Sequence, residues 1–220
     1  MSSDWSTNMK SVYLAVMIAV FSPAHAFAEG PTQLQVEQNV STIDPVPIAL
    51  DWSGFYAGVT AGRLVNGFTT YFYRGVSGDY YDMSGNGAGL FAGYNVQRDS
   101  LVYGFELAAQ SANYVANSNF FAPEFTSMLD LQLRGGWSVE HALPYAFVGY
   151  SRGNWENDNE LTNPSGTGMN YGVGIDFALA NHWLAGVKYI QRDMSTAFNE
   201  NDNGVEPEFG TLQLRLGYSF

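Results

Sequence analysis

From Asp51 to the end of the chain, apolar residues fall on every second position in eight separate stretches. These are Phe55–Leu64, Gly87–Val96, Leu101–Ser111, Phe125–Trp137, Leu143–Gly153, Met169–Leu179, Trp183–Gln191 and Leu212–Phe220. In the last, Leu212, Leu214, Leu216, Tyr218 and Phe220 alternate with Gln213, Arg215, Gly217 and Ser219. A period of two puts every apolar side chain of a strand on one face. Short turns at 97–100, 138–142 and 180–182 alternate with longer polar stretches near 65–86, 112–124, 154–168 and 192–208. An even strand count with long and short connections at opposite ends predicts an up-and-down barrel.

The opposite face of each strand decides which medium the apolar face meets. A soluble barrel turns its apolar face inward and shows water a charged exterior, whereas a membrane barrel turns it outward to lipid. Charged residues make up only 14% of this chain, against roughly 25% in soluble domains. The non-apolar face holds Gly, Ser, Asn and Gln with a few charges: Glu106, Asp130 and Asp176 against Arg134, Lys188 and Arg215. Eight strands enclose a lumen that side chains can fill. Small residues with paired charges suit such a lumen, as a neutralised structural network or as the lining of a channel. The expected fold is therefore all-β: an eight-stranded antiparallel transmembrane up-and-down β-barrel with long outer loops and short periplasmic turns. In lipid no strand edge is left open, so the eighth strand must pair with the first. Trp137, Trp183, Tyr94, Tyr103 and Phe220 are expected at the periplasmic edge, with Tyr171 and Trp155 nearer the outer one. The fifth strand is apolar on both faces, which leaves its register open.

The N-terminus follows other rules. Lys10 precedes the apolar run Val12–Phe21, and Ala24-His25-Ala26 and Ala26-Phe27-Ala28 both fit a small-x-small cleavage site. That pattern predicts a secretory signal peptide over 1–28, cleaved after Ala26 or Ala28, with Met9 the better start. Residues 29–50 show no sustained period and read as a flexible periplasmic arm ahead of the barrel at 51–220.

Composition excludes several classes. A net charge of −12 argues against nucleic acid, whose phosphates need a basic face. With no cysteine there is no disulfide or thiolate site. His141 and His182 fall in short turns, far from any outer-leaflet substrate, so no catalytic residue is expected and the chain reads as a non-enzyme. A channel is the alternative function, and an outer-leaflet lipid enzyme comes after it. Asp193, Glu200, Asp202, Glu206 and Glu208 make the last long connection acidic. Asn199–Gly204 imitates the start of a calcium loop, but the twelfth position is Gly210, so no metal or cofactor is expected.

Asp51–Arg63, reading DWSGFYAGVTAGR, resembles the opening strand of the opacity-type surface antigens of alphaproteobacteria, small barrels related in fold to that of outer-membrane protein A. Trp52, Ser53, Gly54, Tyr56 and Gly58 match their opening pattern. The terminal LRLGYSF resembles the strand signal read by the barrel-assembly machinery, with Tyr218 and Phe220 as its rings. The resemblance implies an integral protein of the bacterial outer membrane, in contact with membrane lipid and lipopolysaccharide. It further implies roles in envelope integrity or in host and surface contact through outer loops. Porin-like and haem-binding members are also reported in that family.

Overall fold

A computed structural model describes residues 50–73, 76–116, 124–156, 165–199 and 203–220. The expected signal segment and residues 29–49 of the expected arm lie outside the described residues. The chain runs through β1 (Gly54–Tyr73), β2 (Val76–Arg98), β3 (Leu101–Ala116), β4 (Glu124–Trp137), β5 (Ala142–Glu156), β6 (Ser165–Ala178), β7 (Trp183–Asn199) and β8 (Asn203–Ser219). Each strand pairs antiparallel with its sequence neighbour, and the sheet closes into a barrel. Closure is made by β8 against β1, in a register that sets Tyr218 opposite Ala57 and Leu214 opposite Ala61. The Phe220 amide adds a bond of 2.9 Å to the Phe55 carbonyl. The last strand is thus held along its length, and its leucines point outward.

The apolar face is the outer one. Leu90, Leu133, Val173 and Leu214 are more than half exposed, while the alternate positions are buried. Trp137, Trp183, Tyr103 and Phe220 are exposed at the end that carries the short turns. Tyr94 is half-buried there and stacks edge-on with Phe55, ring centroids 4.7 Å apart. Tyr171 is exposed on β6; the Trp155 ring lies outside the described side chains. The open register of β5 resolves with Leu143, Tyr145 and Phe147 inward and Pro144, Val148 and Tyr150 outward.

The strands outrun the alternation that announces them. The stretch 65–86, expected as a loop, is almost wholly strand in β1 and β2, and 192–208 is largely strand in β7 and β8. A tilted strand needs about 9–11 residues to cross the hydrocarbon, whereas β2 has 23. The barrel wall therefore continues well past the lipid. In water the pattern inverts. On β7, Trp183 and Val187 are exposed lower down, but Met194 is buried beside exposed Asp193 and Ser195. On β8 the exposed Leu212, Leu214 and Leu216 give way to buried Phe209 and Val205 beside exposed Glu206 and Glu208. The lower half is patterned for lipid outside; the upper half is patterned like a soluble barrel.

Candidate functional site

The interior is the candidate site. Period-two alternation aims the second residue of each pair inward, and the barrel collects these side chains from all eight strands.

At the periplasmic mouth, Trp52 folds under the wall and packs with Val102 and Leu143. Its amide donates to Gln97 Oε1 at 2.8 Å, and its indole Nε1 donates to Ser138 Oγ at 3.1 Å. Above this lid lies a layer of charge. Glu106 Oε2 accepts from Arg215 Nη2 at 2.7 Å, Tyr56 Oη at 2.9 Å and Arg134 Nη1 at 3.3 Å. Its Oε1 accepts from Lys188 Nζ at 2.9 Å and Arg215 Nη1 at 3.0 Å. Arg134 Nη2 donates to Asp176 Oδ2 at 2.8 Å, and Arg215 Nε lies 3.5 Å from Asp176 Oδ1. Three cations thus surround two carboxylates, and every member is buried.

The cations also rest on rings. The Arg134 guanidinium sits 3.8 Å from the Tyr145 ring centre, Arg215 lies 4.1 Å from Phe91, and Lys188 Nζ is 4.4 Å from Phe147. Desolvated cation–π contacts of this kind contribute on the order of 2 kcal/mol each. They explain the double apolar face of β5, because Tyr145 and Phe147 serve as platforms for charge. Each ring lies over a glycine directly across the ladder: Tyr56 over Gly93, Phe91 over Gly58, Tyr145 over Gly174 and Phe147 over Gly172. A Cβ on Gly172 would meet the Phe147 ring at 2.8 Å. Many of the inward glycines are therefore space for lumenal aromatics.

A second polar layer stands above the first. Asp130 does not join the Glu106 cluster; its Oδ2 accepts from Arg192 Nη2 at 2.6 Å and its Oδ1 from Arg192 Nε at 3.2 Å. Ser151 Oγ donates to Asp130 Oδ1 at 2.6 Å, and Arg192 Nη1 donates to Thr211 Oγ1 at 2.8 Å. Gln132 joins the layers, accepting from Lys188 Nζ and donating to Asn170 Oδ1 at 3.0 Å. Asn170 in turn donates to Ser151 Oγ at 2.8 Å. Arg192 is the interior charge that the alternation missed, and among the described residues it makes four buried cations against three buried acids. It lies one residue past the alternating stretch Trp183–Gln191, and Lys188, Ile190 and Arg192 keep one inward parity, the signal in the sequence that points to it. Toward the outer end, Tyr114, Phe125, Phe209, Met128 and Met194 fill the bore. Phe209 stands 5.5 Å from the Tyr114 ring and 5.7 Å from that of Phe125.

The remaining sequence expectations sit elsewhere. His141 and His182 are exposed in the short turns, with the His182 ring 5.8 Å from that of Tyr218. The Phe220 ring is 75% exposed and packs edge-on to Tyr218 at 5.3 Å. Asp193, Glu206 and Glu208 face outward on strands, while Glu200 and Asp202 lie outside the described residues.

A closed eight-stranded antiparallel barrel with a leucine-rich exterior and an ion-paired interior defines an outer-membrane β-barrel. Residues 13–220 match the outer membrane protein beta-barrel domain family, and the chain belongs to that family. It is 24% identical over 210 residues to the 25 kDa outer-membrane immunogenic protein of Brucella canis, covering 94% of this chain and 96% of that one. It is 24% identical over 181 residues to a 22 kDa outer membrane protein of Rhizobium leguminosarum bv. viciae, covering 80% and 82%. Among solved structures it resembles the outer membrane protein OprG of Pseudomonas aeruginosa, with a TM-score of 0.54 and 14% identity. That match spans 76% of this chain and 96% of OprG. The likeness to OprG is one of fold. The chain is thus an outer-membrane protein with surface-antigen relatives.

Proposed function

We propose that this protein is a non-conducting, non-enzymatic barrel that reinforces the outer membrane and presents its outer hairpins to a host or surface ligand. The observation that carries the reading is the stacked filling of the bore. The Trp52 lid, the Glu106 layer, the Asp130–Arg192 layer and the aromatic–methionine plug succeed one another along the axis. A channel needs a continuous wet path, and here the carboxylates of both charged layers are held by protein cations while Tyr114, Phe125 and Phe209 pack across the bore above them. Glu106, Asp130, Arg134, Asp176, Lys188 and Arg215 accordingly act as a structural network. Surface display accords with the name of the Brucella relative, an immunogenic protein. The exposed rings of Tyr218 and Phe220 at the periplasmic end suit the signal read by the assembly machinery.

Planar-bilayer recording of the refolded barrel tests this, with the mobility of unheated samples on gels confirming that it folded. The expected result is folded protein without unitary conductance. Reproducible conductance that shifts with Arg134→Gln or Glu106→Gln would put the channel reading in its place.

A further inference from the structure

The lipid-facing wall is not evenly greasy. On β2–β5 an outward hollow of about 670 Å³ is lined at its outer end by Ser111, Thr126, Ser127, Arg152 and Asn154, and lower down by Leu90, Ala109 and Leu129. Two irregularities in the ladder meet at its outer end, between Ser111 and Tyr114 on β3 and between Phe125 and Ser127 on β4. Bulges re-aim side chains, and here the Thr126 and Ser127 hydroxyls share one pocket. Asn154 Nδ2 donates to Ser127 Oγ at 3.0 Å, which fixes the amide beside them. Leu90 and Ala109 also line a second hollow of about 710 Å³, which runs on past Ala92 and Ala57 to Trp183 and Tyr218. One cross-strand row traces the furrow: Arg152, Leu129, Ala109, Leu90 and Val59, all outward. Strands tilt by about 35–45°, so this row descends from the outer rim of the apolar belt at Arg152 to its middle at Val59.

Arg152 is exposed and, among the described residues, has no carboxylate partner. An unpaired guanidinium at the edge of hydrocarbon calls for an anion at headgroup depth. Its neighbours are hydroxyls and an amide, the donor set that recognises a sugar phosphate. Below it the wall is recessed and apolar. We propose that this furrow seats one phosphorylated acyl-glycolipid of the outer leaflet, of the lipid A kind. Its phosphate lies on Arg152 and the Thr126–Ser127–Asn154 group, and its chains lie in the two joined hollows. Arg63 supplies an internal control, because it too faces outward near the outer rim, on β1, but lines neither hollow.

The test uses the folded barrel in detergent micelles, titrated with bis-phosphorylated lipid A, dephosphorylated lipid A or phosphatidylglycerol. Retained lipid is counted by native mass spectrometry. One lipid A should be retained, with the dephosphorylated form and phosphatidylglycerol weaker. Arg152→Ala should weaken lipid A by about tenfold, the loss of one charge-assisted contact. Ser127→Ala should weaken it less, and Arg63→Ala not at all. Equal retention by the Arg152 variant, equal loss in the Arg63 variant, or phosphatidylglycerol binding as tightly as lipid A would each overturn the assignment. So would the absence of any retained lipid. Both arginines are exposed, so the variants should fold, and gel mobility confirms it.

Discussion

Replacing Glu106 with Gln removes one charge from a layer in which nothing else can take its place. In the native layer Arg134, Lys188 and Arg215 give +3 against −2 from Glu106 and Asp176, a net of +1. In the variant the same cations face one carboxylate, a net of +2, in a site that is 2% exposed at residue 106. Removing one partner of a buried ion pair costs about 3–5 kcal/mol because the other charge is left uncompensated. Even the lower figure shifts the folding equilibrium by more than about a hundredfold. The assay is urea unfolding in lipid vesicles, followed by tryptophan fluorescence and by the mobility of unheated samples. The double variant Glu106→Gln/Lys188→Met isolates the electrostatic part, since it returns the layer to a net of +1. It should recover about 1–3 kcal/mol relative to the sum of the single losses. A single-variant loss below about 1 kcal/mol, or strict additivity in the double, would refute the view that Glu106 neutralises the layer.

Three further outcomes follow from the lumen and its ends. Gly174→Leu should push Tyr145 off Arg134 and destabilise the barrel by about 1–3 kcal/mol, whereas Gly135→Ala, where a Cβ meets nothing within 4 Å, should be nearly silent in the same unfolding assay. Trp52→Ala empties the periplasmic lid and should cost about 3–5 kcal/mol, the usual range for a buried Trp, read as a lower urea midpoint. Phe220→Ala should reduce the amount of folded barrel in cell outer membranes. It should leave the refolded protein within about 1 kcal/mol of wild type, because the ring is exposed and the backbone bond to Phe55 survives.

The fold was legible because lipid and lumen differ so sharply that a period of two suffices to mark every strand. Alternation put Leu212, Leu214 and Leu216 outside and Arg215 inside without any reference to tertiary structure. It faded where the wall leaves the membrane, and the reason is physical. Once water replaces lipid outside, the outward residues turn polar, the apolar ones move inward, and contrast measured on a single parity vanishes. On β3 the apolar series runs through odd positions to Ala109 and resumes on even ones at Ala112, Tyr114 and Ala116. On β7 it moves from Val187 to Met194, and on β8 from Leu212 to Phe209. That switch of parity within a continuous strand is itself a sequence signal, and it marks where β3, β7 and β8 leave the lipid. It also accounts for Arg192. The stretch 192–208 is polar and acidic taken as a whole, but by parity Arg192 continues the inward series of Lys188 and Ile190 and needs an acid. Its acid is Asp130, which the balanced count of three acids and three bases had set among the partners of Arg134, Lys188 and Arg215. What alternation alone could not supply is the pairing of rings with glycines across β1–β2 and β5–β6, because that depends on register. In β5 the two apolar faces serve two solvents at once, Val148 and Tyr150 meeting lipid while Tyr145 and Phe147 meet guanidinium and ammonium. An apolar residue that breaks the pattern inside such a barrel is therefore best read as a platform for charge, and the glycine opposite it in the ladder as the space that platform requires.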